Sequence, residues 1–164
     1  HQNEVNMAKV FNAGEIFEIG IQIEKNGHDF YAAAAAGTED ESMKKLFTEL
    51  ADWEGQHIKL FQELRDKLPE GAKQEIEFDL DNVVYLYLKS LADSMVFNSK
   101  SAGIEGLLTT DDILNKAIEM EKESIVVYSS MKEVVPASMG KAQIDRLISE
   151  EVGHVGHLIR RKSK

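Results

Sequence analysis

No cysteine occurs among the 164 residues, which excludes disulfides, thiolate metal sites and thiol catalysis and leaves oxygen and nitrogen donors for any bound metal. Proline is almost absent, with two in the chain, so little interrupts helical runs. No apolar run approaches the roughly 20 residues of a membrane-spanning helix, and the first residues lack the basic-then-apolar plan of a signal peptide. The expectation is a cytoplasmic protein with no membrane partner. Positive charge is also in short supply: 19 lysines and arginines face 29 aspartates and glutamates, a formal net charge of −10. That balance opposes a phosphate backbone, so nucleic acid is excluded as a partner.

What the chain does have is helix-forming sequence. Alanine, leucine, glutamate and lysine recur at high density, and 43% hydrophobic residues suffice for one core without calling for a second domain. The reading is a single all-α domain over residues 1–164. Asn12 with Glu15 forms a capping-box pattern ahead of Ile16, Phe17, Gly20, Ile21, Phe30 and Tyr31 at helical spacing, which predicts a helix over 13–36 closed by Gly37. Thr38 with Glu41 repeats the pattern ahead of Leu46, Phe47, Leu50, Ala51, Phe61 and Leu64, predicting a second helix over 39–68 that stops at Pro69. Residues 69–108 are too many for a turn and carry an apolar segment over 79–97, which reads as a long, partly helical crossover. Thr109 or Thr110 caps a third helix over 110–135 that breaks at Pro136, and a fourth follows over 138–162.

An internal repeat is the most informative feature. Glu24-Lys25 and Tyr31 reappear 97 residues later as Glu121-Lys122 and Tyr128, and Glu54-x-x-His57 reappears at the same offset as Glu151-x-x-His154. Apolar positions follow without a gap, Ile16 to Ile113, Ile21 to Ile118 and Leu50 to Leu147. The chain reads as a duplicated helical hairpin. If the two hairpins face each other across a pseudo-two-fold axis, the third helix starts at the bundle end opposite to the start of the first. The connection must then travel the bundle's length, roughly 40 Å at 1.5 Å per residue for a helix of about 26 residues. The crossover supplies that length.

Residues three apart share a helix face, so each Glu-x-x-His pair points two metal donors the same way. A single pair is weak evidence among five histidines and so many glutamates. Here both pairs lie on the inward stripe of a long helix, and each is preceded by a helix with one inward glutamate, Glu24 or Glu121, where a plain bundle would place leucine. Burying a lone carboxylate costs several kcal/mol, so Glu24, Glu54, Glu121 and Glu151 on facing stripes call for neutralising cations. Divalent metal ions are the simplest supply, with His57 and His154 as the nitrogen donors.

One glutamate from each of two helices and Glu-x-x-His from each of the other two is the ligand pattern of ferritin-like di-iron and di-manganese bundles. With that set complete, the chain resembles the rubrerythrin branch of the ferritin-like di-iron carboxylate superfamily over nearly its whole length. The resemblance implies a ferritin-like four-helix bundle of two antiparallel pairs holding two iron ions, with manganese or zinc as other possible occupants. It implies that Glu54 and Glu151 bridge the metals, Glu24 and His57 completing one and Glu121 and His154 the other. It further implies an oxidoreductase acting on peroxide or dioxygen, the alternative being an iron-binding, ferroxidase or storage and delivery module. Two departures stand out. Peroxide-reducing rubrerythrins carry a further glutamate one turn past the third-helix ligand, where this chain has Ser124. They also commonly carry a four-cysteine rubredoxin domain, so electrons here must come from a separate donor protein.

Three further expectations complete the reading. Tyr31 and Tyr128, two turns beyond Glu24 and Glu121, are candidates to hydrogen-bond carboxylates of the opposite helix. His28 and His157 break the repeat, since their counterparts Ile125 and Leu60 are apolar, and are candidates for an auxiliary hydrogen-bonded or metal-binding corner. The crossover's Val83, Val84, Leu86, Tyr87, Leu88, Leu91, Met95 and Phe97 offer more apolar surface than one bundle face needs, which suggests a homodimer contact.

Overall fold

A computed structural model describes residues 13–69, 83, 86–88, 90, 109–135 and 137–162. Four long helices account for most of them: α1 (Ala13–Gly37), α2 (Glu41–Asp66), α3 (Thr110–Val134) and α4 (Lys141–Arg161), with a short 3-10 turn at Ala137–Met139. Among the described residues there is no strand.

The helix starts follow local chemistry. Asp40, in extended backbone, caps α2 by accepting the backbone N–H groups of Ser42 and Met43. Asp40 takes the place expected of Thr38, whose hydroxyl instead accepts the Asp40 N–H, so α2 opens at 41 rather than 39 and closes at 66 rather than 68. Thr109 forms a full capping box with Asp112 at the start of α3. The Asn12 cap proposed for α1 lies outside the described residues. α4 opens at 141, three residues later than the periodicity suggests, because the chain first makes the 3-10 turn and then reverses at Gly140 with φ +109°.

Cross-helix contacts fix the topology. Tyr31 meets Glu121 and Tyr128 meets Glu24, so α1 and α3 are antiparallel. His57 meets Glu151 while Arg161 reaches Ser42, so α2 and α4 are antiparallel too. The two hairpins α1–α2 and α3–α4 close a ring in the order α1, α2, α4, α3, with α1 and α4 diagonal and parallel. Arg65 at the end of α2 pairs with Glu18 near the start of α1, whereas the start of α3 lies toward the end of α1. The connection from α2 to α3 therefore has to span the bundle, as the duplication requires. Residues 83, 86–88 and 90 within it are helical, and Leu88 is buried among the residues around Phe17, Phe61 and Tyr128. Val83, Leu86 and Tyr87 are exposed on the single chain, while Val84, Leu91, Met95 and Phe97 lie outside the described residues.

The apolar core comes in two clusters rather than one. Ile16, Phe17, Phe61, Tyr128, Met131, Ile144 and Leu147 fill one end of the bundle, and Phe30, Tyr31, Phe47, Leu50, Leu114, Ile118 and Leu158 fill the other. Between them lies a buried layer of Glu24, Glu54, His57, Glu121, Glu151 and His154.

At Gly140 a Cβ would stand 2.6 Å from Leu64 Cδ2, on top of the left-handed backbone. Gly140→Ala is expected to cost about 1 to 3 kcal/mol, read as a lower midpoint in urea denaturation. An unchanged midpoint would mean the turn tolerates a side chain.

Candidate metal centre

Each of the six donors sits near the middle of its helix, where the apolar stripe that faces the bundle axis would otherwise continue. Glu24 is fully buried between the stripe residues Ile21 and Tyr31, and Glu121 is buried between Ile118 and Tyr128. Glu54 and His57 lie one turn apart on α2, and Glu151 and His154 one turn apart on α4. The structure brings all six together as two overlapping groups, Glu24, Glu54, His57 and Glu151 in one, and Glu54, Glu121, Glu151 and His154 in the other. Within each group one donor atom per residue lies within 4.8 Å of all the others. Glu54 and Glu151 belong to both.

The imidazoles present Nδ1 to this centre. His57 Nδ1 is 2.9 Å from Glu151 Oε1 and 3.4 Å from Glu24 Oε2, and His154 Nδ1 is 3.7 Å from Glu121 Oε1 and from Glu151 Oε2. Despite that crowding, six buried atoms have no aligned hydrogen-bond partner: Glu24 Oε2, His57 Nδ1, Glu121 Oε2, both Glu151 oxygens and His154 Nδ1. Leaving so many polar groups dry and unpaired is costly, and buried polar atoms are otherwise satisfied. Two divalent cations resolve it. Four carboxylates and two neutral imidazoles carry four negative charges, which two dications cancel, and the orphaned atoms are hard oxygen and imidazole donors of the kind that hold iron, manganese or zinc.

The outer oxygens of two of these carboxylates are already engaged. Tyr31 donates its hydroxyl to Glu121 Oε1 at 2.7 Å and Tyr128 donates to Glu24 Oε1 at 2.5 Å, each across to the opposite helix. Burial and the surrounding carboxylates push both phenols well above their usual range, so they remain donors. Each tyrosine fixes the orientation of one glutamate and leaves its second oxygen turned inward.

Without metal, burial and the crowded charges shift three of these groups. Burial, followed by repulsion from Glu24, holds the Glu54 carboxyl well above the ordinary carboxylate range. Burial disfavours the His57 imidazolium, but Glu151 and Glu24 facing the ring outweigh it and raise its pKa to about 10. For Glu151, burial acts against ionisation, and His154 and His57 more than compensate, so its pKa falls below the ordinary value.

Not every candidate joins the centre. The His28 side chain is 44% exposed, with its nearest charged partner the adjacent Asp29 at 3.4 Å, and His157 is exposed on α4. Neither histidine enters a group of metal-capable donors among the described residues. Ser124 is buried and gives its hydroxyl to the Met120 carbonyl at 2.9 Å, one turn back on its own helix.

Three residues at the centre escaped the motif reading. A Cβ on Gly27 would stand 2.8 Å from Glu54 Oε2, so the glycine leaves room for that carboxylate. Its counterpart in the 97-residue repeat is Ser124, and this pair of small residues was the available signal. Glu150 meets His57 Nε2 at 2.8 Å, and Trp53 lies tilted beside both rings, 6.2 Å from His57 and 5.7 Å from His154 between centroids. Nothing in helical spacing says that residues adjacent to the motif reach across to the opposite helix.

Gly27→Ala should leave the fold intact, because the new methyl displaces only the end of Glu54. It should weaken binding at both halves of the centre by about 10- to 100-fold, as read by titration with Mn²⁺; undiminished affinity would contradict the role given to the glycine. The pH dependence has a definite sign. His57 has its folded pKa raised, so its stabilisation of the metal-free protein is complete below about 6.5 and lost as pH rises through about 10. Metal uptake must displace that proton, so apparent affinity should climb from pH 6.5 toward 10 with proton release. Uptake independent of pH over this window would refute the protonated His57.

Comparison with known proteins agrees with this geometry. The family model described as Rubrerythrin matches residues 15–98, just over half of the chain, and takes in Glu24, Glu54 and His57. The search of curated proteins gives no significant match. Among solved structures, the chain is similar to one from Thermotoga maritima described as a ferritin-like diiron-carboxylate protein, at 20% identity and a TM-score of 0.66, covering 93% of this chain and 95% of that one. At that identity the likeness speaks for the fold, a ferritin-like bundle. Taken with the family match, it identifies the chain as a member of the rubrerythrin family.

Proposed function

We propose that the protein is a di-iron carboxylate oxidoreductase of rubrerythrin type, which acts on peroxide or dioxygen with electrons from a separate donor protein. The observation that carries the proposal is the pair of overlapping donor groups, buried, unpaired and sharing Glu54 and Glu151. In this reading Glu54 and Glu151 bridge the two ions, Glu24 and His57 complete one, and Glu121 and His154 complete the other. Iron held by these residues would supply the two electrons that reduction of peroxide or dioxygen requires. The residues of the chain do the rest. The Tyr31 and Tyr128 hydroxyls hold Glu121 and Glu24 in place, and the apolar clusters on either side keep bulk water from the centre. The whole chain acts as one ferritin-like domain in this reading. Exposed Val83, Leu86 and Tyr87 support a homodimer formed through the crossover.

One observation favours a second reading. Ser124, with its hydroxyl turned to a carbonyl of its own helix, occupies the position of the additional glutamate of peroxide-reducing rubrerythrins. Without that ligand the same centre serves an iron-binding, ferroxidase or storage and delivery module.

Protein produced with iron should contain two metal ions per chain and show the absorption of an oxo-bridged ferric pair when oxidised. Glu54→Ala or Glu151→Ala should lose both ions, and retention of both would contradict the bridging roles. Peroxide-dependent oxidation of a small electron donor supports the oxidoreductase, whereas uptake of many irons per chain without such turnover supports the storage reading and overturns the first.

A further inference from the structure

The repeat offset of 97 residues pairs Trp53 with Glu150, each directly before the glutamate of a Glu-x-x-His motif. The same offset relates the cross-helix contacts that these two residues make. Glu150 on α4 reaches His57 on α2, and the equivalent contact is that of Trp53 on α2 with His154 on α4. The tyrosine contacts of Glu24 and Glu121 are duplicated, but the Glu150 carboxylate at His57 has no counterpart at His154 among the described residues. His57 Nε2 has a carboxylate at 2.8 Å, itself within 3.8 Å of Arg146 Nε. Among the described residues, the carboxylates within ion-pair distance of His154 are Glu121 and Glu151, both at Nδ1. The indole of Trp53 lies 5.7 Å from the His154 ring and 6.2 Å from the His57 ring, centroid to centroid.

A carboxylate on one imidazole nitrogen has two consequences for the other. It holds the hydrogen on Nε2, so the Nδ1 lone pair points at the centre, and it makes that lone pair a stronger donor toward a cation. An indole does neither. Taking the two-metal reading above as its basis, we propose that Glu150 and Trp53 make the two halves of the centre unequal. The Glu24–His57 half takes up the first dication and holds it more tightly; the Glu121–His154 half takes up the second. Glu150 is a positioning residue in this account, acting on the metal through His57. The duplicated scaffold thus gains an order of filling from one unmatched position.

The test uses Co²⁺ with the metal-free full-length protein, followed by calorimetry and by the visible absorption of bound cobalt. Wild type should bind two equivalents in two resolved steps. Glu150→Ala should weaken the first step by about 10- to 100-fold and bring the two steps together, and Glu150→Gln, which keeps an oxygen to accept the Nε2 hydrogen, should restore part of the difference. Trp53→Glu offers His154 the missing carboxylate and should strengthen the second step. In the Zn²⁺-loaded protein, ¹⁵N-resolved NMR should find the His57 Nε2 hydrogen protected from exchange, and Glu150→Ala should abolish that protection while His154 is unchanged. A merely structural role for Glu150 would not alter one imidazole selectively. The inference is overturned if wild type binds two equivalents with equal affinity, or if Glu150→Ala leaves the first step untouched. Absence of Co²⁺ binding to wild type would instead overturn the two-metal reading itself.

Discussion

The cost of placing four carboxylates in a dry layer governs how this protein is built. Isolated ionised groups do not survive in an apolar interior; they take up protons, find partners or bind cations. All three responses are visible here. Burial raises the pKa of Glu54, Glu24 and Glu121 accept hydrogen bonds from tyrosines, and Glu151 lies between two imidazoles. Those arrangements still leave six donor atoms unpaired and convergent. A core of leucine at the same positions would be more stable without metal, so the polar layer makes physical sense as a site that exchanges protons for dications.

The remainder of the architecture follows from holding that layer. Splitting the apolar core into two clusters lets both ends of the bundle stay closed while the middle remains polar. Each cluster contributes one of the two tyrosines, so the same residues that seal the centre also orient its carboxylates. Duplication supplies both halves at once, and the pseudo-two-fold relation accounts for the long connection between α2 and α3, which joins opposite ends of the bundle. Departures from duplication then carry information. Gly27 against Ser124 and Trp53 against Glu150 mark where the two halves have diverged beside the shared donors.

Much of this was legible in the residues. Helical periodicity located α1 to α4 because the apolar stripes are long and regular, and the 97-residue offset picked out the six residues that converge in the buried layer because buried glutamates at leucine positions have few bland explanations. Local chemistry was read less well. Asp40 outcompeted Thr38 as a cap because its carboxylate satisfies two backbone N–H groups, and the Gly140 turn delayed α4 through a backbone conformation that periodicity does not encode. Contacts between helices were least legible. Tyr31 and Tyr128 were found because the repeat aligned them with the glutamates, whereas Glu150 and Trp53 act on the opposite helix and carry no spacing signature.

The most direct measurement is anomalous scattering at the iron edge from crystals of the protein loaded with iron. Two peaks inside the bundle, with Glu54 and Glu151 contacting both, His57 and Glu24 on one and His154 and Glu121 on the other, is the predicted result. No peak within the carboxylate layer, or a single ion held at the surface, would contradict the claim that dications make this layer tolerable.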